Sequence, residues 1–306
     1  MSQEKTNFGT IIDDMKASFK LASNNVLSYF LAHLGMIVFL VLMLAIVAVP
    51  IVAIVFAVGP TAIADWGASL ATWSTANLWA AGISAVILIM LPLMALLFMV
   101  YGSIFGMTKE IVEKGTSSAE SAFSWLRHNF ITFAGTGVIM SLIVVVPQLA
   151  VAAAVSYFSG YVVTGLTSVG LSIFIFAYSF ITLGLTSMVM PAVVNGKGIQ
   201  DAVVGSFKLA IERFDRIFGL LTAIVLLGLL SFAPILIGAA ATALGASITL
   251  VGPWLAAGAL WAVVAALLWL LLFLPMTIIA FTRVYHDLTG GEVYDSAAHL
   301  SEIAMV

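Results

Sequence analysis

The sequence predicts an all-α integral membrane fold of six transmembrane helices, and three observations carry that prediction. Hydrophobic residues fill 63% of the 306 positions and charged residues only 8%, a composition that excludes a water-soluble globular domain. Two long stretches, 128–196 and 217–282, contain no Asp, Glu, Lys or Arg. A membrane helix needs about 20 apolar residues, so each stretch holds two spans and a turn. Finally, all 11 Lys and Arg residues fall in alternate gaps between the apolar stretches. Lys5, Lys16 and Lys20 precede the first; Lys109, Lys114 and Arg127 separate the second from the third. Lys197, Lys208, Arg213 and Arg216 separate the fourth from the fifth, and Arg283 closes the sixth. The other gaps, 59–75, 158–162 and 246–252, hold only one charge, Asp65. Cytoplasmic loops retain basic residues, so the pattern predicts a multi-pass chain with both termini cytoplasmic.

In order, the spans are expected over 26–58, 76–107, 128–157, 162–194, 217–245 and 252–284. The first follows about 25 residues of mixed charge and runs too long for a signal-peptide core, so it is expected to stay attached. At about 1.5 Å per residue several spans exceed a hydrocarbon core of about 30 Å, and tilting or bending would absorb the excess. Each span contains a proline: Pro50, Pro92, Pro147, Pro191, Pro234 and Pro275. Proline lacks the helical N–H and crowds the preceding turn, so a kink is expected at all six. Broken helices of this kind line cavities or act as hinges in transporters; alternatively, neighbouring helices repair the lost bonds and the prolines carry no function. Aromatic residues match the topology, with Trp66, Trp73, Trp79, Tyr157 and Tyr161 at the outer face and Tyr29, Trp125 and Tyr285 at the inner one.

The segments before the odd spans resemble one another. Ser18-Phe19-Lys20-Leu21-Ala22 recurs as Ser206-Phe207-Lys208-Leu209-Ala210, and Ala122-Phe123-Ser124-Trp125-Leu126 is a looser copy. Each has helical periodicity. Phe8, Ile11, Ile12, Met15 and Phe19 share one stripe; Val203, Val204, Phe207, Ile211 and Phe214 share another, with Lys208, Glu212 and Arg216 stepping along the far side. The middle segment opens with Ser117-Ser118-Ala119-Glu120, a capping-box pattern. Such helices are expected to lie in the inner headgroup layer with Phe19, Phe123 and Phe207 as anchors. The chain then reads as a single membrane domain of three parallel hairpin repeats, 8–107, 116–194 and 199–288, each opened by a cytoplasmic interfacial amphipathic helix, with a cytoplasmic tail over 289–306.

This pattern resembles a family of largely uncharacterised prokaryotic six-span membrane proteins. It is similar to the membrane domain that precedes the catalytic domain in some glycerophosphodiester phosphodiesterases. The resemblance runs from Phe8 to about Asp287. It rests on the Ser-Phe helices, on Pro191-Ala192-Val193-Val194 followed by Gly198-Ile199-Gln200-Asp201-Ala202-Val203-Val204, and on Tyr285-His286-Asp287-Leu288. The residues after Leu288 are too few for that catalytic domain, so the resemblance implies residence in a prokaryotic cell membrane and little chemistry.

The remaining residues define what function is expected. With no cysteine there is no disulfide and no thiolate metal site, and a net charge of −3 suggests no nucleic-acid partner. There is no pair of intramembrane aspartates, no metal-ligand cluster, no nucleophile elbow and no phosphate loop, so neither an enzyme nor a cofactor is expected. Ion-coupled transporters place ionisable groups inside their spans; here the intramembrane polar candidates are His33, Gln148, Tyr178 and Thr182. Each could line a path or simply bond between or within helices. At the inner face, Arg283, His286, Lys208 and Arg216 are candidates for holding a lipid headgroup, the alternative being a solvated flank. The leading expectation is a non-enzymatic protein that organises or binds lipid at the inner leaflet. The alternatives are a transporter or flippase for an apolar or zwitterionic substrate, and a subunit of a larger membrane complex. Membrane lipids are the expected partners, with a protein partner or homo-oligomer as the alternatives.

Overall fold

A computed structural model of the chain describes residues 8–160, 164–243 and 248–294. Lys5, Tyr161 and the tail beyond 294 lie outside them. Among the described residues the chain is helical throughout, with no strand. A first helix α1 (Phe8–Asn24) leads into α2 (Val26–Val58), α3 (Pro60–Ala76) and α4 (Leu78–Ala85), then α5 (Leu91–Lys114) and α6 (Ala119–Phe158). After these come α7 (Gly165–Thr186), α8 (Val189–Val194), α9 (Ile199–Glu212), α10 (Phe214–Ser231), α11 (Ala233–Ala243), α12 (Ile248–Leu268) and α13 (Leu274–Thr289). Six stretches are long and apolar enough to cross a membrane: Val26–Val58, Ala80–Lys114, Ala119–Phe158, Gly165–Val194, Phe214–Ser231 and Gly252–Thr289. The expected six spans are therefore present, the fifth ending earlier than expected.

Four of the six prolines, Pro92, Pro191, Pro234 and Pro275, lie beside helix interruptions. Pro50 and Pro147 sit inside unbroken α-helix. Before Leu91-Pro92 and before Leu274-Pro275, five residues adopt a π-helix, Val86–Met90 and Trp269–Phe273. The wider π turn shifts the hydrogen-bond register by one, as in the bonds from Leu91 N–H to Val86 and from Leu274 N–H to Trp269. At Pro191 helix α7 stops at Thr186 and α8 restarts at Val189; at Pro234 helix α10 stops at Ser231 and α11 starts at Ala233.

Three side chains meet carbonyls at these disruptions. Pro147 cannot donate to the carbonyl four residues back, Ile143, and the Tyr178 hydroxyl donates to that oxygen at 2.7 Å instead. Ser206 Oγ donates to Leu185 at 2.6 Å and accepts from the Met188 N–H at 3.2 Å, bridging the α7–α8 break. Trp261 Nε1 donates at 2.7 Å to Ser231, the last residue of α10. An unpaired carbonyl in an apolar medium is costly, and these bonds offset that cost where a helical bond is missing.

Contacts divide the chain into two compact units. One contains the described parts of Met1–Leu31, Phe105–Ser121 and Gly184–Val306. Here α1 packs chiefly on α13 and also on α10. Its buried face is Ile11, Asp14, Ser18, Leu21 and Ala22, and the end of the Ile11 side chain lies against Gly219, where a Cβ would displace it. Close approach is repeated where Phe218 covers Gly184. This corrects the expectation that α1 floats on its apolar stripe: Ile11 turns inward, while Phe19 remains 42% exposed. A helix carrying Asp14, Ser18 and Ala22 on one side packs closely because those side chains are small and can be paired.

The other unit contains Ala32–Ile104 and Ala122–Leu183. Gly137 lets α6 approach α5: a methyl there would lie 2.7 Å from the Met94 carbonyl oxygen and 2.6 Å from Phe98 Cβ. Phe123 covers Gly35 and so packs on α2 as well as being exposed. The separate surface helix expected before the third span is absent, because α6 runs unbroken from Ala119 to Phe158. Nothing between Ala119 and Val146 breaks a helix, whereas α1 and α9 end at turns on Asn25 and Arg213. Among the inner-face aromatic markers, Tyr29 and Tyr285 are buried rather than interfacial; Tyr29 hydrogen-bonds Thr108 at 2.7 Å.

Candidate functional site

The first unit contains a charged cluster where α1 meets α10 and α13. Arg216, in the first turn of α10, points inward. Its Nε and Nη2 donate to the two oxygens of Asp14 at 3.1 and 3.2 Å, and its Nη1 lies 2.6 Å from Asp287 Oδ2. The planar guanidinium suits a carboxylate gripped by two parallel bonds. The side chains of Asp14 and Arg216 are only 10% and 13% exposed. Burial pushes the Asp14 carboxyl above its ordinary range, outweighing the opposing pull of Arg216 and of the more distant Arg283.

Arg283 is the cation that this network leaves over. Among the described residues it has no hydrogen-bond or ion-pair partner. It lines a partly enclosed cleft of about 210 Å³ together with Lys20, Asn24, Gly115, Thr116 and Tyr294. Several bonds hold the walls. Asn25 Nδ2 donates to Leu21 at 2.9 Å and to Gly115 at 3.0 Å, and Ser28 Oγ donates to Ser117 at 2.8 Å. The Tyr294 N–H donates to Val112 at 2.7 Å. Gly115 has φ 84°, a left-handed conformation that closes α5 at little cost only for glycine. The Tyr294 ring packs on it so closely that a Cβ would come within 2.8 Å.

His286 is buried at 2% exposure and bonded at both nitrogens. Nδ1 donates to the Glu292 carbonyl at 3.0 Å, and Nε2 accepts from Asn195 Nδ2 at 3.0 Å. The same amide donates to Pro191 at 2.8 Å, which fixes its orientation. His286 therefore fastens the chain after α13 to the end of α8, and no ring nitrogen is left for a headgroup. Arg216 is likewise committed to its two carboxylates. Lys208 stands apart on α9, 74% exposed and 3.8 Å from Glu212. Of the four cationic candidates, then, the structure puts Arg283 in a cleft, closes off His286 and Arg216, and leaves Lys208 on the surface.

Three of the four intramembrane candidates bond to backbone carbonyls. Gln148 Nε2 donates to Val144 at 2.8 Å, Thr182 Oγ1 to Tyr178 at 2.7 Å, and Tyr178 to Ile143 as described. His33 is buried. Sequence reasoning missed Asp14, Lys20, Asn25, Ser206 and Tyr294. For Asp14 a signal existed: it shares the helical face of Ile11 and Ser18, and a carboxylate in such company needs a buried cation.

Among the described residues no three His, Cys, Asp or Glu side chains come close enough to hold a metal ion. Comparison with protein-family models, curated proteins and solved structures finds no match. The fold thus defines an all-helical, polytopic membrane protein with a paired charge cluster and an adjoining basic cleft.

Proposed function

We propose that this chain is a non-enzymatic protein of a prokaryotic cell membrane, with both termini cytoplasmic, that organises or binds lipid at the inner leaflet. The observation that carries this reading is the outward face of α9. The small residues Ala202, Ser206 and Ala210 are buried on the inward side, while Val204 and Ile211 are exposed at 61% and 68% with the exposed Lys208. A face of aliphatic side chains around a lysine suits the headgroup boundary, where apolar groups enter the acyl layer and the ammonium reaches the phosphates.

Two further regularities support three parallel hairpin repeats. The residue before each anchor phenylalanine is small and buried: Ser18, Ala122 and Ser206. The even spans, or the helices ending them, close at left-handed glycines, Gly115, Gly196 and Gly290, with φ of 84°, 85° and 77°. Kinks at the six prolines belong to the same proposal, as does kinship with the six-span family. The transporter alternative gains no specific support, because Gln148, Tyr178 and Thr182 donate to backbone carbonyls.

Native mass spectrometry of the protein, extracted gently from its own membrane, tests the reading. A lipid bound in fixed stoichiometry that survives gas-phase activation is the expected result. Protein that carries no lipid, alone or with a copurifying subunit, overturns it.

A further inference from the structure

We infer that a groove between α6 and α4, with the π-helix that continues α4, holds an acyl chain of a phospholipid in the outer half of the bilayer. The site goes beyond the inner-leaflet reading above and stands on different residues.

Short side chains form the groove. It is half-open, about 470 Å³ in volume, and lined by residues from 82–87 and 146–153. Gly82 and Ala85 line it on one side, Ala150 and Ala153 on the other, and such small residues leave a hollow between the helices. Ile87 and Leu149, exposed at 55% and 45%, complete its sides. Among the described residues every lining side chain is apolar. Gln148, the one polar residue in that stretch of α6, is turned back on its own helix, where it donates to the Val144 carbonyl at 2.8 Å.

Depth narrows the choice of occupant. The spans Ala80–Lys114 and Ala119–Phe158 are joined by the short turn after Lys114, so Ala80 and Phe158 lie toward the opposite membrane face. The groove falls between those far ends and the middles of the two spans. That is the hydrocarbon of the leaflet away from Lys114, the outer leaflet on the proposed topology. Only lipid chains and other apolar helices are at home there.

Size decides between those two. At about 1.5 Å per residue the lined stretches are about 10 Å long. The volume spread over that length gives a section of about 50 Å², whereas a helix about 10 Å wide needs about 80 Å². A flexible hydrocarbon chain enters where a helix of a second copy does not. An empty groove forfeits dispersion contacts along its walls. A chain lodged in it regains them from two sides, unlike a chain lying against a convex helix.

For the test, the full-length protein is reconstituted in phosphatidylcholine vesicles that contain a trace of phosphatidylcholine with a photoactivatable diazirine on one acyl chain. After illumination, adducts are mapped by peptide mass spectrometry. The expected result is labelling of 82–87 and 146–153 at least fivefold above that of Ile54 and Leu260, which are exposed at 62% and 74% outside the groove. Gly82→Leu, at a position where a Cβ meets nothing within 4 Å, fills the hollow. It should cut the groove labelling at least fivefold and leave that of Leu260 unchanged. Ala85→Leu is the second filling variant and keeps the test informative if Gly82→Leu folds poorly. Even labelling of the groove and the reference residues overturns the site, as does an excess that both filled variants retain. Groove labelling that disappears as the ratio of protein to lipid is raised assigns the groove to a second copy and overturns the proposal.

Discussion

Asp14 and Arg216 show why a buried ion pair is not simply a source of stability. Burial raises the Asp14 carboxyl despite Arg216, so the folded chain holds that proton more tightly than the unfolded chain does. Stability from this group is therefore greatest in acid and declines as pH climbs from 3.8 through the raised value. Asp14→Asn removes that decline and leaves Arg216 its bond to Asp287, so at neutral pH it costs no more than about 1 kcal/mol. Arg216→Met instead strands Asp14 and is expected to cost about 3–5 kcal/mol. Thermal midpoints in detergent decide the order; equal losses for the two variants contradict it. Tyr178→Phe tests a different bond. It leaves the Ile143 carbonyl without a donor and should lower stability by about 1 kcal/mol, in keeping with polar bonds measured inside membranes. An unchanged midpoint removes Tyr178 as the partner of Pro147.

Between neighbouring helices, closeness is set by glycine. Gly137 faces the Met94 carbonyl and Phe98 across a gap that no side chain can enter. Gly137→Val therefore forces α5 and α6 apart, with an expected loss of about 1–3 kcal/mol from overpacking. Gly9, where a Cβ would meet nothing within 4 Å, is the control, and its valine variant should fall within about 0.5 kcal/mol of the wild type. Equal midpoints for the two would show that the α5–α6 contact relaxes freely. Helix α3 presents the opposite situation. Trp66, Leu70 and Trp73 recur at helical spacing and are all exposed, as expected for a helix whose apolar side meets lipid rather than protein.

For the molecule as a whole, the orientation is the property to test, and the chain has no native cysteine to complicate it. Ala68→Cys, exposed on the side of α3 opposite Leu70, should react with a membrane-impermeant maleimide in intact cells, and Lys208→Cys only after the inner surface is opened. The reverse pattern would invert the topology. Much of this architecture was legible because membrane insertion depends on quantities that need no partner. The length of an apolar run and the sign of the loops beside it determined six spans and predicted their direction, since hydrocarbon penalises every unpaired charge and backbone group. Arg283, a candidate from its place at a span end, does reach a cleft. What tertiary structure alone decided was which polar groups meet. Asp14 and Arg216 are separated by 202 positions of sequence, and Arg216 looked like one more residue on the flank of a surface helix. His286 likewise looked available until the chain beyond α13 and the end of α8 closed over both its nitrogens. Hydropathy measures the transfer of a residue into a medium. It carries no record of which distant residue shares that medium, and the charge pairing and the shape of the cleft depend on those distant residues.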